Sequence, residues 1–236
     1  SGGDKTRAWL DEDTGLMRHS LTAALESAGA GWNAVDWVME RNDRQAFCAT
    51  RPPGHHATYD SAMGFCIFNN IVIAARYALQ TYDLKRVAII DFDVHHGNGT
   101  EQIVAGDQRI MLCSSFQHPF YPHCGSPVAA SNILAVPLDA GATGKEFREK
   151  VQHWFAALKN FQPELILISA GFDAHAEDPM AHLRLVEDDY FWISQQLRRI
   201  ADECCSGRIV SMLEGGYEQS ALGRSVVAHI KGMSQP

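Results

Sequence analysis

The sequence predicts an α/β protein, a three-layer α/β/α arrangement around a mainly parallel sheet. Short apolar runs recur along the chain at Val87-Asp91, Ile110-Ser114, Ile133-Val136, Leu165-Ser169 and Ile209-Leu213. Segments of helical periodicity alternate with them. Polar clusters follow the runs at one end only, the end where open parallel sheets build their sites. Parallel strands covered on both faces read as continuous apolar runs, and strand–helix alternation implies right-handed crossovers.

Each element has its own signal. A helix is expected over Ser20 to Arg41, with Leu21, Leu25, Ala28, Val35, Val38 and Met39 as its apolar stripe. A short strand near Ala46 to Ala49 leads into a Pro/Gly loop, then a helix from Asn69 to Tyr82. Further helices are expected at Thr100-Ala105, Lys145-Phe161, Glu187-Cys204 and Ser220-Met233, the first three between the strands named above and the last after them.

The 236 residues, 46% hydrophobic and 20% charged, suit one globular domain over 1–236. No stretch approaches the ~20 apolar residues of a membrane span, and the start lacks the apolar core of a signal peptide. A formal charge of −8 argues against direct nucleic-acid binding, yet leaves a basic peptide or polyamine open as substrate. The six cysteines contain no Cys-x-x-Cys pair, which argues against a zinc finger. Cys48, Cys66 and Cys113 read as small core residues, so a reducing cytoplasm is expected. A homo-oligomer stays possible.

The most telling stretch is Asp91-Phe92-Asp93-Val94-His95-His96-Gly97, directly after a core strand. If the chain stays extended, alternation puts Asp91, Asp93 and His95 on one side. An Asp-x-His pair offers oxygen and nitrogen to one divalent ion; a charged surface loop is the plainer reading. Asp173, after Leu165-Ser169, completes a set of two carboxylates and one imidazole, although alone it reads equally well as a helix N-cap. Three protein ligands leave a position open for water and substrate, the pattern of catalytic zinc. His55-His56 is either a chance tandem or two rings presented by the rigid Arg51-Pro52-Pro53-Gly54 loop. Two imidazoles could divide base and acid work, with Asp91 and Asn98 orienting them differently. Tyr217, after Gly215-Gly216, is either a packed aromatic or a phenol that donates to a developing oxyanion.

Together these motifs resemble the histone deacetylase superfamily, particularly bacterial deacetylase-like amidohydrolases and class II deacetylases. They are Arg51-Pro-Pro-Gly-His-His-Ala57, Gly64-Phe-Cys-Ile-Phe-Asn-Asn70, Asp91 to Thr100, Ser169-Ala-Gly-Phe-Asp173, Asp178-Pro179-Met180 and Leu213-Glu-Gly-Gly-Tyr217. The resemblance implies the arginase-deacetylase fold and one zinc ion held by Asp93, His95 and Asp173. It implies that His55 pairs with Asp91, that His56 is the general base and that Tyr217 polarises the carbonyl. Asn98 stands where class I members carry Asp, a class II-like trait. A structural monovalent cation, potassium, is implied near Asp91, Asp93, His95 and Ser114. Gly64, Phe65 and Tyr121 would wall an acyl-lysine tunnel, with Met180 nearby. Members usually begin with an extra strand and a His-Pro-Glu-Arg-like segment, so a shortened amino-terminal part is expected here.

The activity so implied is zinc-dependent hydrolysis of an acetyl or acyl group from acetyl-lysine peptides, acetylpolyamines or small acylated amines. Two other readings compete. A catalytically silent relative could bind acetylated amines without cleaving them. An arginase-like binuclear hydrolase would need a second carboxylate set, for which only His175 and Asp178 are at hand.

Overall fold

A computed structural model describes residues 7–123 and 129–235. In chain order the elements are β1 (Ala8–Trp9), β2 (Gly15–Leu16), α1 (Ser20–Glu40), β3 (Gln45–Cys48), α2 (Asn70–Thr81), β4 (Val87–Asp91) and α3 (Asn98–Val104). They continue with β5 (Ile110–Gln117), β6 (Ile133–Leu138), α4 (Gly144–Phe161), β7 (Leu165–Ala170), α5 (Glu187–Cys205), β8 (Ile209–Leu213) and α6 (Gln219–Ser234). Six strands form one parallel sheet in the order β3-β8-β7-β4-β5-β6, while β1 and β2 make a separate antiparallel pair.

Alternation along the strands divides the core into two layers. Ala88 and Ile90 of β4 join Ile166 and Ile168 of β7 against Trp154, Leu158, Tyr190, Ile193 and Leu197 from α4 and α5. Val87 and Ile89 face the other way, with Leu165 and Leu167, against Val35 and Val38 of α1 and Ala74, Ala75 and Ala78 of α2. Every residue of β4 and of β7 is buried, which is why these strands read as unbroken apolar runs.

The helices start where local chemistry lets them. Asn69 accepts the N–H of Val72 and opens α2; Glu146 reaches back to the N–H of Thr143 and opens α4. Two strands run well beyond their expected ends, and β7 gains one residue, Ala170. β5 extends to Gln117, and β6 continues through Pro137 to Leu138. Pro137 is tolerated because β6 is an edge strand and needs no donor on its outer side. The β1–β2 pair was not expected at all, since two-residue strands carry no periodicity.

The connections create the important feature. From β4 the chain moves to β5 on one side, and from the adjacent β7 it moves to β8 on the other. The crevice beyond the carboxyl ends of β4 and β7 is therefore a topological switch point, where α/β sheets place their ligands. All five cysteines among the described residues are free thiols, with Cys48, Cys66 and Cys113 buried; Cys124 lies outside the described residues.

Candidate metal centre

β4 stops at Asp91, so the simple alternation expected for Asp93 and His95 ends there. The chain turns instead. Asp91 accepts the N–H of Asp93 (3.1 Å), and Asp93 accepts the N–H of His95 (2.8 Å), so each carboxylate folds the backbone back on itself. The turn aims Asp93 and His95 across the crevice at Asp173 from the loop after β7. His95 Nδ1 lies 3.1 Å from both Asp93 Oδ1 and Asp173 Oδ2. The outer carboxylate oxygens are held by the backbone: Gly215 N–H on Asp93 Oδ2 (2.8 Å) and Val94 N–H on Asp173 Oδ1 (3.0 Å). Gly215 has to be glycine here, because a side chain would run into both aspartates.

The three donor atoms lie within 4.8 Å of one another and all three residues are buried. Tetrahedral zinc with bonds of about 2.0 Å sets ligand atoms roughly 3.3 Å apart, and the two spacings from His95 Nδ1, 3.1 Å each, are of that size. The electrostatics point the same way. Burial, and then the charge of Asp93, push Asp173 up to about 6. His95 is driven up to about 10: burial opposes its charge, but hydrogen bonds to Asp173 and Asp93 outweigh it. Two buried carboxylates that draw a proton to the point between them are a site for positive charge. Among the described residues this is the one cluster of its kind. Asp178 is outside it, its carboxylate taken by backbone N–H groups, and His175 lies 3.5 Å from Glu187.

The histidine tandem sits over this cluster. Glu214, at the end of β8, accepts the N–H groups of Gly54 (2.7 Å) and His55 (3.1 Å) and also Ser169 Oγ (2.9 Å), fixing the loop to the sheet. His55 Nδ1 meets Asp91 Oδ2 at 3.0 Å, and His56 Nδ1 meets Asn98 Oδ1 at 2.8 Å. The two rings are 4.1 Å apart between centroids, yet their titrations diverge. For His55 burial works against charge, but Asp91, Asp93 and Glu214 prevail and raise its pKa well above the usual value. For His56 burial and then the charge of His55 push the pKa well below it. An amide oxygen on Nδ1 requires a proton there, leaving Nε2 of a neutral ring free to accept.

A cavity of about 170 Å³ opens onto these groups, lined by Asp13, His56, Gly64, Phe65, His95, Phe120, Tyr121, Met180 and Tyr217. Gly64, Phe65, Tyr121 and Met180 thus share one cavity with His56, His95 and Tyr217. Phe120 and Asp13 were not anticipated. Phe120 stacks on the His95 ring at 5.6 Å between centroids, and Asp13 accepts the N–H of Gly64 (3.0 Å). Alternating Pro and aromatic residues over His118-Pro119-Phe120-Tyr121-Pro122 were a usable signal for the first; nothing local marks the second. Burial, followed by the charges of Asp173 and Asp93, raises the Tyr217 phenol, which keeps it a hydrogen-bond donor. Ser114, paired in register with Asp91, has a buried Oγ without a hydrogen-bond partner.

The arrangement could hold a divalent ion beside an imidazole able to accept a proton and a phenol able to donate a hydrogen bond. Comparison with known proteins gives the family. Residues 2–233 match the family model of the histone deacetylase domain. The chain is 42% identical to an uncharacterized protein of Synechocystis sp., over 94% of this chain and 72% of that one. It is 38% identical to a probable deacetylase of Methanothermobacter thermautotrophicus, covering 95% and 69%. It is 36% identical to the type-2 histone deacetylase 1 of Dictyostelium discoideum over 95% of this chain, but spans only 20% of that protein. The solved HD domain of HDA15 superposes with a TM-score of 0.90 at 32% identity, over 97% of this chain and 67% of that one. This chain belongs to the histone deacetylase family. Among the described residues no helix is long and apolar enough to cross a membrane.

Proposed function

We propose that this chain is a zinc-dependent amidohydrolase that removes acetyl or acyl groups from acetyl-lysine side chains or related acetylated amines. The observation that carries this reading is the convergence of Asp93 Oδ1, His95 Nδ1 and Asp173 Oδ2 beside a narrow cavity that also contains His56 and Tyr217. Asp93, His95 and Asp173 would hold the zinc ion, which supplies Lewis acidity to a carbonyl and to a water.

The remaining work falls to side chains. His56, neutral and with Nε2 free, takes a proton from the attacking water as its oxygen bonds to the carbonyl carbon. Tyr217 donates to the carbonyl oxygen as that oxygen gains charge. The C–N bond breaks as a proton passes from the histidine pair to the departing amine, with His55, kept charged by Asp91, as the acid-leaning member. Phe65, Tyr121, Phe120 and Met180 offer apolar walls to a slender alkyl chain and exclude water from the reacting carbonyl. Ser114 and Asp91, with the adjoining Asp93 and His95, are assigned to a potassium ion that would satisfy the orphaned Ser114 oxygen. The substrate we propose is an acetyl-lysine peptide, an acetylpolyamine or a small acylated amine, a reading supported by the apolar lining of the cavity. The cytoplasm is the proposed compartment.

The test is turnover of an acetyl-lysine peptide by metal-stripped protein before and after zinc is restored. The reading expects activity to return with zinc and to be lost again in Asp93→Ala. A metal-independent rate equal to that of the reloaded protein would refute it.

A further inference from the structure

The Asp178-Pro179-Met180 turn lies outside the metal cluster, and its aspartate is buried. The carboxylate accepts three backbone N–H groups. Oδ2 takes Tyr217 (2.7 Å) and Glu218 (3.1 Å), and Oδ1 takes Met180 (3.0 Å). One side chain from the loop after β7 therefore anchors the turn after β8.

That turn needs an anchor. Tyr217 follows two glycines, and Gly216 has φ +138°, a conformation that L side chains rarely adopt. Local sterics leave the direction of the phenol open across such a hinge. Upstream the hinge is pinned through Gly215, whose N–H bonds to Asp93 and whose carbonyl accepts Phe172 N–H (2.8 Å). Downstream the Tyr217 and Glu218 N–H groups go to Asp178.

We propose that Asp178 is a positioning residue for the Tyr217 hydroxyl, closing the downstream end of the Gly215-Gly216 hinge. The inference rests on the reading of Tyr217 as the carbonyl-polarising donor. An oxyanion donor works only within about 2.7–3.1 Å of the developing charge, and a misplacement of about 1 Å costs on the order of 100-fold in rate. The same carboxylate fixes Met180 N–H, so the residue walling the cavity and the residue carrying the phenol share one anchor. A carboxylate is the group that can do this, since all its oxygens accept. An amide turned with its one oxygen toward Tyr217 and Glu218 would keep both of those bonds and lose only Met180, so releasing the turn requires removal of both side-chain oxygens.

Asp178→Ala tests the assignment in the wild type and in Tyr217→Phe, with kcat, KM, zinc content and amide hydrogen exchange measured on each protein. In the wild-type background kcat is expected to fall by about 10- to 100-fold, with KM and zinc content little changed. In Tyr217→Phe the same substitution should change kcat by less than about twofold, because the group it positions is already gone. The Tyr217 and Glu218 amides should exchange faster while those of β8 keep their protection. Equal kcat losses in the two backgrounds, or amides as protected as in the wild type, would overturn the proposal. Near-normal turnover of Tyr217→Phe alone overturns the reading of Tyr217, and the inference with it. Normal kcat in Asp178→Ala beside a collapsed Tyr217→Phe overturns the inference and spares that reading.

Discussion

At the amino ends of the strands, charged residues sit in water: Lys85 pairs with Asp83, Arg109 with Asp107, and Glu164 caps the N–H groups of Lys85 and Arg86. At the carboxyl ends, His55, Asp91, Asp93, His95, Asp173 and Glu214 are all buried. The same residue types therefore do different work at the two edges of one sheet. Exposed pairs contribute about 0–1 kcal/mol and are replaceable. Buried ions cost several kcal/mol each unless they are paired, hydrogen-bonded or bound to a cation. The carboxyl edge meets the pairing and hydrogen-bonding condition group by group, which is how the candidate site differs from a decorated surface.

The largest effects should come from the buried edge. Asp93→Ala or Asp173→Ala is expected to abolish zinc binding and turnover together, since each removes one of three ligands; full zinc occupancy in Asp173→Ala would rule out this ligand set. His56→Ala should lower kcat by about 10²–10⁴-fold and more severely than His55→Ala, because a general base is lost. The pair also makes a pH prediction. A base must be neutral to accept, and His56 is held below the ordinary histidine range, so the acid limb of kcat/KM should lie below about 6.5. His55→Ala removes a positive neighbour, raises the His56 pKa and should move that limb upward. An unmoved or lowered limb would exchange the roles. Tyr217→Phe keeps the ring but loses the donor, and should cost about 10²–10³ in kcat with zinc content unchanged. Near-normal turnover would mark it as an ordinary packed tyrosine.

How much of this was legible depends on how local each signal is. β4 and β7 could be read because both faces are covered, and Asp91 to His96 stood out because charges rarely follow a core strand directly. The chemistry of the motifs offered Asp91 and Asn98 as orienters of the two imidazoles, and the family resemblance implied that Asp91 pairs with His55. The adjacency of β4 and β7 could not be read, because strand order is a property of the whole sheet. Glu214 and Asp178 escaped as anchors for the same reason: each acts on backbone N–H groups far away in sequence. Phe120 and Asp13 reach the cavity only through loops whose path no periodicity records.

Smaller effects sharpen the contrast. His229 is buried between Ser194 Oγ (2.6 Å) and Ser211 Oγ (2.8 Å), and burial pushes its pKa down to about 3. Its folded-state pKa is below the unfolded value of about 6.5, so its stabilising effect is complete above pH 6.5. Stability should fall as pH drops from there toward 3, by at most about 1.4 kcal/mol per unit. Urea titrations at pH 7.5 and 5.5 should show this slope in the wild type and a flatter one in His229→Gln; equal slopes would remove His229 from the account. At the solvated edge, Arg109→Ala should change stability by less than about 1 kcal/mol and leave kcat alone. A loss comparable with that of a buried-edge variant would erase the distinction between the two edges.

The most direct measurement is a zinc titration of metal-stripped protein, with deacetylation of an acetyl-lysine peptide followed at each addition. The account predicts that activity climbs linearly and saturates at one equivalent of zinc, and that Asp173→Ala stays inactive throughout. Saturation at two equivalents, or full activity before any metal is added, would contradict it.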